Sequence, residues 1–308
     1  MSTPTSLDLP DGVRHTTIRT ARGPFAALEA VPASGVCERE AALLVPGYTG
    51  SKEDFLAILD LLAAGRRAVA IDMRGQFETP AAADPGGYAA TSLGADLVAI
   101  MRATGTRHLV GHSYGGLIGR EAVLAGAGVT SFTLMSSGPA ALTGPRAAEV
   151  QTMLGALGAL EGDGDEGGQP DPAALKAGIA ELWDARLEPQ AVAAGVPGPI
   201  VAFLGRRMRA NDPDGLVLMA RHMLAAPDRT AELAQVQVPM LVIYGEYDDA
   251  WFPAAQEDMA RRLCARRLCI PAAVHSPAVE APATTASALT QFWDAAETAR
   301  LGAGTRTG

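Results

Sequence analysis

The hexapeptide Gly111-His112-Ser113-Tyr114-Gly115-Gly116 places a serine among glycines, between an apolar strand-like run and a helical run. A serine on a tight strand-to-helix turn takes strained backbone angles, and neighbours without a Cβ relieve the crowding. Its hydroxyl is then lifted clear of the sheet, beside the free N–H groups of the new helix. The motif predicts that Ser113 is a nucleophile. The alternative is a glycine-rich turn with an incidental serine.

A serine hydroxyl is a poor nucleophile until a base takes its proton. Among the five histidines, His275 lies on a predicted loop after a late strand, from which it can reach back over the sheet. We predict that it is the base. His112 is adjacent to the serine, where side chains of a tight turn diverge, and we expect a structural role for it. The remaining histidines lie in a predicted hairpin, a strand and a helical segment, at His15, His108 and His222.

The imidazole needs a carboxylate that holds its tautomer and stabilises the imidazolium. Asp248 and Asp249 both follow the predicted strand Met240–Tyr244, and these residues alone leave both open. The equivalent position after the predicted strand Phe132–Ser136 holds only serines and cannot supply the acid. The chain order is therefore serine, aspartate, histidine, which is typical of one class of serine hydrolases.

Short apolar runs alternate with helical patterns through most of the chain. Runs that are nearly continuously apolar suit strands covered on both faces, as in a parallel sheet. We therefore predict an α/β fold with a doubly wound, mostly parallel, eight-stranded sheet. The predicted strands are Val13–Thr20, Phe25–Val31, Ala41–Val45, Ala68–Asp72, His108–Gly111, Phe132–Ser136, Met240–Tyr244 and Arg267–Ile270.

The alternation breaks between residues 141 and 235, which hold amphipathic segments and no strong strand. We predict a helical cap or lid there, a core formed by 1–140 and 236–300, and a flexible tail at 301–308. The acidic, Gly/Pro-rich stretch 161–172 lacks EF-hand spacing, so a solvated loop is expected. Three side chains are candidates for an apolar pocket wall, with core packing as the alternative: Met153, Met219 and Trp251.

Four further motifs stand in a recognisable order around Ser113: Pro46-Gly47-Tyr48-Thr49-Gly50, Asp72-Met73-Arg74-Gly75, Gly245-Glu246-Tyr247-Asp248 and His275-Ser276-Pro277. With the serine motif, they give the chain a resemblance to the α/β-hydrolase family from about Phe25 to Trp293. The G-x-x-D count of the family favours Asp248 as the acid and leaves Asp249 as the alternative.

The resemblance also implies an oxyanion hole made of the backbone N–H groups of Tyr48 and Tyr114. Pro46 stands where the family usually has histidine, and Phe77 where it often has glycine, so the sequence departs from the pattern at both places. For Asp72 and Arg74 the resemblance implies a structural role rather than catalysis.

By this resemblance the protein is a serine hydrolase that forms an acyl-enzyme, with carboxylic esters as the default small-molecule substrate and with no cofactor or metal. The family's dehalogenases and epoxide hydrolases normally carry aspartate at the elbow, which the serine here disfavours. The fold does not choose among related reactions. The alternatives are an amidase, a thioesterase, a cofactor-free perhydrolase, a carbon–carbon bond hydrolase, a lyase on the same triad and a non-catalytic small-molecule receptor.

Composition limits the class of protein, its partners and its cellular location. The 308 residues are 48% hydrophobic and 19% charged, with a net charge of −9, which excludes a disordered chain and disfavours a nucleic-acid partner. We find no run long enough to span a membrane and no signal peptide. Three cysteines without metal-ligand spacing favour free thiols in the cytoplasm. The oligomeric state stays open.

Overall fold

The computed structural model describes residues 2–35, 37–158 and 171–304. The predicted acidic loop, 161–172, lies outside the described residues except for its last two positions, and so does the end of the predicted tail, 305–308.

Eight strands form one sheet in the order β1-β2-β4-β3-β5-β6-β7-β8. The hairpin β1–β2 is antiparallel, β2 is antiparallel to β4, and all other neighbours are parallel. The prediction of a mostly parallel eight-stranded sheet is confirmed. The strands are β1 Val13–Thr20, β2 Gly23–Ala30, β3 Ala42–Val45, β4 Ala68–Ile71, β5 His108–His112, β6 Ser131–Met135, β7 Met240–Gly245 and β8 Arg266–Ile270.

Helices cover both faces of the sheet. Alternate residues of one strand contribute to two separate hydrophobic clusters: Leu43 and Val45 of β3 belong to one, and Ala42 and Leu44 to the other. The first cluster holds α2 Ala90–Thr104, α3 Tyr114–Leu124 and α10 Pro253–Arg262. The second holds α1 Leu56–Ala63, α11 Pro277–Glu280 and α12 Pro282–Gly304. Double coverage explains why the central strands are apolar on both sides.

The segment between β6 and β7, residues 136–239 and called the insertion below, contains helices and no strand in its described part. Its helices are α4 Gly144–Ala156, α5 Pro172–Leu182, a π-helical turn Trp183–Leu187, α6 Glu188–Ala193, α7 Gly198–Ala210, α8 Pro213–Ala225 and α9 Thr230–Leu233. The insertion is attached to the loop after β4, because the Asp212 N–H donates to the Gly75 carbonyl at 2.7 Å and the Tyr88 hydroxyl donates to the Asp212 carboxylate at 2.7 Å.

The last helix is longer than its apolar pattern predicts. We expected it to span Thr284–Ala299, but α12 begins at Pro282, whose fixed backbone angle suits a first helical turn. It continues through Leu301 to Gly304, so the first residues of the predicted flexible tail are helical. Within the described ranges, none of the helices has both the length and the apolar character that crossing a membrane requires.

Candidate active site

Ser113 lies on the turn between β5 and α3 with φ 54° and ψ −121°. Residues with a Cβ rarely adopt this combination of backbone angles. The Ser113 N–H donates to the Met135 carbonyl at 2.8 Å, which ties the turn to β6. The neighbouring glycines are sterically required. A Cβ on Gly111 would lie 2.3 Å from the Gly115 carbonyl oxygen, and a Cβ on Gly115 would lie 2.4 Å from that of Pro46. The predicted cramped turn is therefore present.

The structure brings Ser113, His275 and Asp248 into one chain of hydrogen bonds. Ser113 Oγ lies 2.9 Å from His275 Nε2, and His275 Nδ1 lies 2.9 Å from Asp248 Oδ1. A carboxylate only accepts, so the Nδ1 proton points to Asp248 and Nε2 keeps its lone pair for the serine hydroxyl. This arrangement can move a proton from Ser113 to His275.

Asp248 is held by more than the histidine. Its side chain is buried, and its oxygens accept hydrogen bonds from the Ala250 N–H at 3.0 Å and from the Gln256 amide at 2.9 Å. Burial acts to raise the pKa of Asp248, but His275 and these two donors outweigh it and hold the pKa below its usual value. The carboxylate therefore stays ionised when the histidine takes a proton.

Gln256 is a residue that our sequence reasoning missed. It is fully buried in the first turn of α10, and its amide also donates to the Trp251 carbonyl at 2.7 Å. It therefore fixes the loop that carries Asp248. The available signal was a neutral polar residue at the start of the helix that follows the acidic turn.

Asp249, the alternative acid, occupies a different environment. Its side chain is 51% exposed and forms an ion pair with Arg146 of α4 at 2.6 Å. Potential metal-ligating atoms of Asp249, Asp248 and His275 lie within 4.8 Å of one another. The hydrogen bonds and ion pair described above already occupy these groups. Asp248 therefore faces the His275 imidazole, whose side chain is 19% exposed, and Asp249 faces the Arg146 guanidinium, whose side chain is 30% exposed.

His112 supports the loop that carries His275. Its Nε2–H donates to the His275 backbone carbonyl at 2.7 Å, and the two rings lie 5.2 Å apart between centroids. Burial, helped by the nearby imidazole of His275, lowers the pKa of His112 to about 3. His112 therefore stays neutral at physiological pH and acts as a hydrogen-bond donor, in agreement with the structural role expected for it.

The low pKa of His112 predicts an acid-sensitive fold. The unfolded chain protonates this histidine below about pH 6.5 and the folded protein does not, so the free energy of unfolding falls as the pH falls below that value. From pH 7.5 to pH 5.5 we expect the wild type to lose about 1.4 kcal/mol more than a His112→Gln variant, which has no group to titrate there. Denaturant unfolding of both proteins at both pH values measures the difference, and equal losses would mean that folding does not suppress the protonation of His112.

The turn Gly47–Gly50 lies directly against Ser113. A Cβ on Gly47 would be 3.0 Å from the Ser113 Cβ and 3.4 Å from its Oγ. The Gly50 N–H closes the turn on the Gly47 carbonyl at 3.1 Å. Among the described residues, the backbone N–H groups of Tyr48 and Tyr114 have no hydrogen-bond acceptor. Both remain available for a negatively charged oxygen, as the predicted oxyanion hole requires.

The side chains of Tyr48 and Tyr114 link the sheet to the insertion. The Tyr48 hydroxyl donates to the Leu216 carbonyl of α8 at 2.9 Å, and the Tyr114 hydroxyl lies 3.1 Å from His222 Nδ1, also of α8. Burial raises the pKa of both phenols above the usual range. The phenols therefore stay protonated and serve as anchors for α8.

A cavity of about 350 Å³ opens above Ser113 and His275. Two of the three predicted wall residues, Met153 and Trp251, line it. The prediction for Met219 is wrong: this side chain is 2% exposed and packs into the hydrophobic core. Met223 of α8 lines the cavity instead, one helical turn further along the same face. The other aliphatic and methionine wall residues are Leu142, Val150, Leu182, Leu187, Met208 and Ala250.

Asp72 and Arg74 do not line the cavity. Asp72 accepts hydrogen bonds from the Lys52 backbone N–H at 2.8 Å and from its Nζ at 3.0 Å, in a buried site that also includes Glu53. Burial acts to lower the pKa of Lys52, but the carboxylates around it raise it above its usual value. Arg74 pairs with Asp96 of α2 at 2.6 Å. The first contact joins the loop after β4 to the segment after β3, and the second joins the same loop to α2, so both contacts are structural, as the resemblance implies.

Comparison with known proteins bears on the family and the fold of the chain. A family profile described as the alpha/beta hydrolase family matches residues 42–288. A protein named as the carbamate hydrolase RutD, from Variovorax paradoxus (strain S110), is 44% identical over 93 residues, which are 29% of this chain and 35% of the relative. The matched stretch thus spans about a third of the relative's length.

Two solved structures resemble the chain over nearly its full length. A hydrolase from Pseudomonas aeruginosa PA01 has a TM-score of 0.67 and 24% identity, over 91% of this chain and 98% of that protein. A thermophilic esterase from Thermogutta terrifontis has a TM-score of 0.68 and 20% identity, over 92% of this chain and 99% of that protein. At these identities the likeness is one of fold, and the family follows from the profile match across most of the chain. The chain belongs to the alpha/beta hydrolase family.

Proposed function

We propose that the protein hydrolyses carboxylic esters or related acyl substrates through a Ser113–His275–Asp248 triad and an acyl-enzyme. The observation that carries the proposal is the continuous path from Ser113 Oγ through His275 to the buried Asp248, with 2.9 Å at each step, beneath a cavity whose wall is largely apolar. The relatives named as an esterase and a carbamate hydrolase support attack on a carbonyl carbon.

In the first half-reaction Ser113 Oγ attacks the substrate carbonyl carbon while its proton passes to His275 Nε2. The carbonyl oxygen becomes an oxyanion, and the N–H groups of Tyr48 and Tyr114 stabilise it. Asp248 stabilises the imidazolium. The tetrahedral intermediate then collapses, the bond to the leaving oxygen breaks, and His275 returns the proton to that oxygen, so that an alcohol departs and the acyl group stays on Ser113.

In the second half-reaction a water molecule takes the place of the alcohol. His275 Nε2 accepts a proton from the water as its oxygen attacks the acyl carbon. The new tetrahedral intermediate releases Ser113 Oγ, which recovers the proton from His275. A carboxylic acid leaves, and the site returns to its starting state.

The cavity sets the substrate size. At about 350 Å³ it is at the lower end of small-molecule pockets, and its wall is largely apolar. We propose that residues 141–235 of the insertion form a cap over the core made of 1–140 and 236–300, and that the methionines and leucines of this cap contact the acyl group. Esters with short to medium acyl chains fit this space better than long-chain lipids.

A panel of p-nitrophenyl esters from acetate to dodecanoate tests this function, beside a lactone, a thioester and a p-nitrophenyl carbamate. We expect turnover of the esters with a maximum at short to medium chains, because longer chains exceed the cavity. The Arg206→Gln variant is a suitable control, since it changes an exposed residue of the insertion outside the cavity and should match the wild type. Tight ligand binding without turnover of any acyl substrate would instead identify a receptor.

A further inference from the structure

Arg207 is a fully buried cation in the insertion, on α7. Its guanidinium donates to Asp54 Oδ1 at 2.6 Å, to Ser51 Oγ at 3.3 Å and to the Ser2 carbonyl at 2.7 Å. Burying an ion pair costs desolvation energy that its mutual attraction barely offsets, so stability alone is a weak reason for such a pair. Its partner Ser51 directly follows the turn Gly47–Gly50, and its partner Asp54 lies three residues beyond Ser51.

That turn carries backbone strain. Thr49 has φ 58°, in the left-handed region, which is a true outlier for a β-branched residue. Strain of this kind persists only where the surroundings fix the backbone. The strained residue directly follows Tyr48, whose N–H we assign to the oxyanion hole.

The Asp54 carboxylate connects the strained turn to Arg207. Its Oδ1 accepts from Arg207, while its Oδ2 accepts from the Ser51 N–H at 3.3 Å. The same Oδ2 packs against the end of the turn, because a Cβ on Gly50 would lie only 2.4 Å from it. The side chain of Asp54 is 3% exposed and lines the cavity that contains Ser113. A continuous set of contacts therefore runs from α7 to the turn.

We infer that Arg207 is a positioning residue: through Asp54 and Ser51, it holds the strained turn that presents the Tyr48 N–H to the oxyanion. The insertion thereby contributes to transition-state stabilisation as well as to the cavity wall. This inference rests on the proposed acyl-transfer function. It predicts a loss in kcat rather than in substrate binding, since the oxyanion forms only after attack.

A double variant, Arg207→Met with Asp54→Asn, removes both charges and leaves no unpaired buried charge. Loss of a whole oxyanion donor costs about 100- to 1000-fold in kcat, so a misplaced one should cost about 10- to 100-fold. We expect that loss for p-nitrophenyl butyrate with a nearly unchanged KM. Affinity for phenylboronic acid, which forms a tetrahedral adduct on a serine, should fall in parallel. Arg207→Lys, which retains the charge beside Asp54 but not all three hydrogen bonds, should fall between the double variant and the wild type.

Arg209→Met is the matched control. Arg209 lies on the same helix and pairs with Asp184 at the surface, without contact to the turn, so kcat should be unchanged. An unchanged kcat in the folded double variant, or a rise in KM alone, would overturn the inference. If the double variant does not fold, a wild-type kcat in Arg207→Lys overturns it equally. A wild type without acyl hydrolase activity defeats the proposed function itself, which separates the two failures.

Discussion

Ser113→Ala is expected to lower kcat for the best p-nitrophenyl ester by about six orders of magnitude, as for triad nucleophiles generally. The variant loses the atom that forms the acyl-enzyme, and neither His275 nor the oxyanion donors can replace it. Alanine also removes the hydroxyl without adding volume to the crowded turn, so the protein should fold with a melting temperature close to that of the wild type. Steady-state kinetics at a high enzyme concentration and with long reaction times measures the residual rate of the variant.

Ser276→Ala provides the matched control for this variant. Ser276 directly follows His275, and its hydroxyl lies 2.9 Å from that of Ser2, away from the proton path. Its kcat should stay close to the wild-type value. If Ser113→Ala kept a tenth of the wild-type activity, another group would have to be the nucleophile.

Asp248→Asn is expected to lower kcat by about four orders of magnitude, the loss seen when a triad aspartate becomes asparagine. Asparagine can present its NH₂ group to His275 Nδ1, which favours the tautomer that has its proton on Nε2. That proton faces Ser113 Oγ, at the position where a lone pair is required. The variant should still bind substrate, so kcat carries the loss and KM changes little.

Asp249→Asn separates the two acidic candidates. Asp249 is half-exposed and pairs with Arg146, so its replacement should leave kcat within about threefold of the wild type, as for surface ion pairs in general. The comparison of both variants under the same conditions decides between them. A large loss in Asp249→Asn with a small loss in Asp248→Asn would reverse the assignment.

Local patterns were enough to predict the sheet and the position of the serine. Continuous apolar runs predict strands that are covered on both faces. The glycines around Ser113 predict a tight turn, because a Cβ at these positions would clash with the backbone. The proximity of His275 follows from the fold, because loops after parallel strands meet at one edge of the sheet. The sheet and the turn at Ser113 depend on short stretches of chain, and the proximity of His275 depends on the order of the strands. Sequence patterns are sufficient to predict both.

Contacts between distant segments were not predictable in the same way. Adjacent aspartates differ only in where the loop backbone directs them, and the Gln256 amide selects Asp248 from eight residues further along the chain. Met219 and Met223 share one helical periodicity, and only the placement of α8 decides which reaches the cavity. The pair of Arg207 with Asp54 joins two segments that no local pattern relates.

Covalent labelling with a fluorophosphonate, followed by peptide mass spectrometry, tests most directly whether Ser113 is the activated nucleophile. Attack by the serine oxygen forms an oxygen–phosphorus bond and expels fluoride. We predict one adduct per chain, located on Ser113, which is absent in Ser113→Ala and forms much more slowly in Asp248→Asn. An adduct on a different residue, or an unlabelled enzyme that still hydrolyses esters, would contradict the assignment of Ser113.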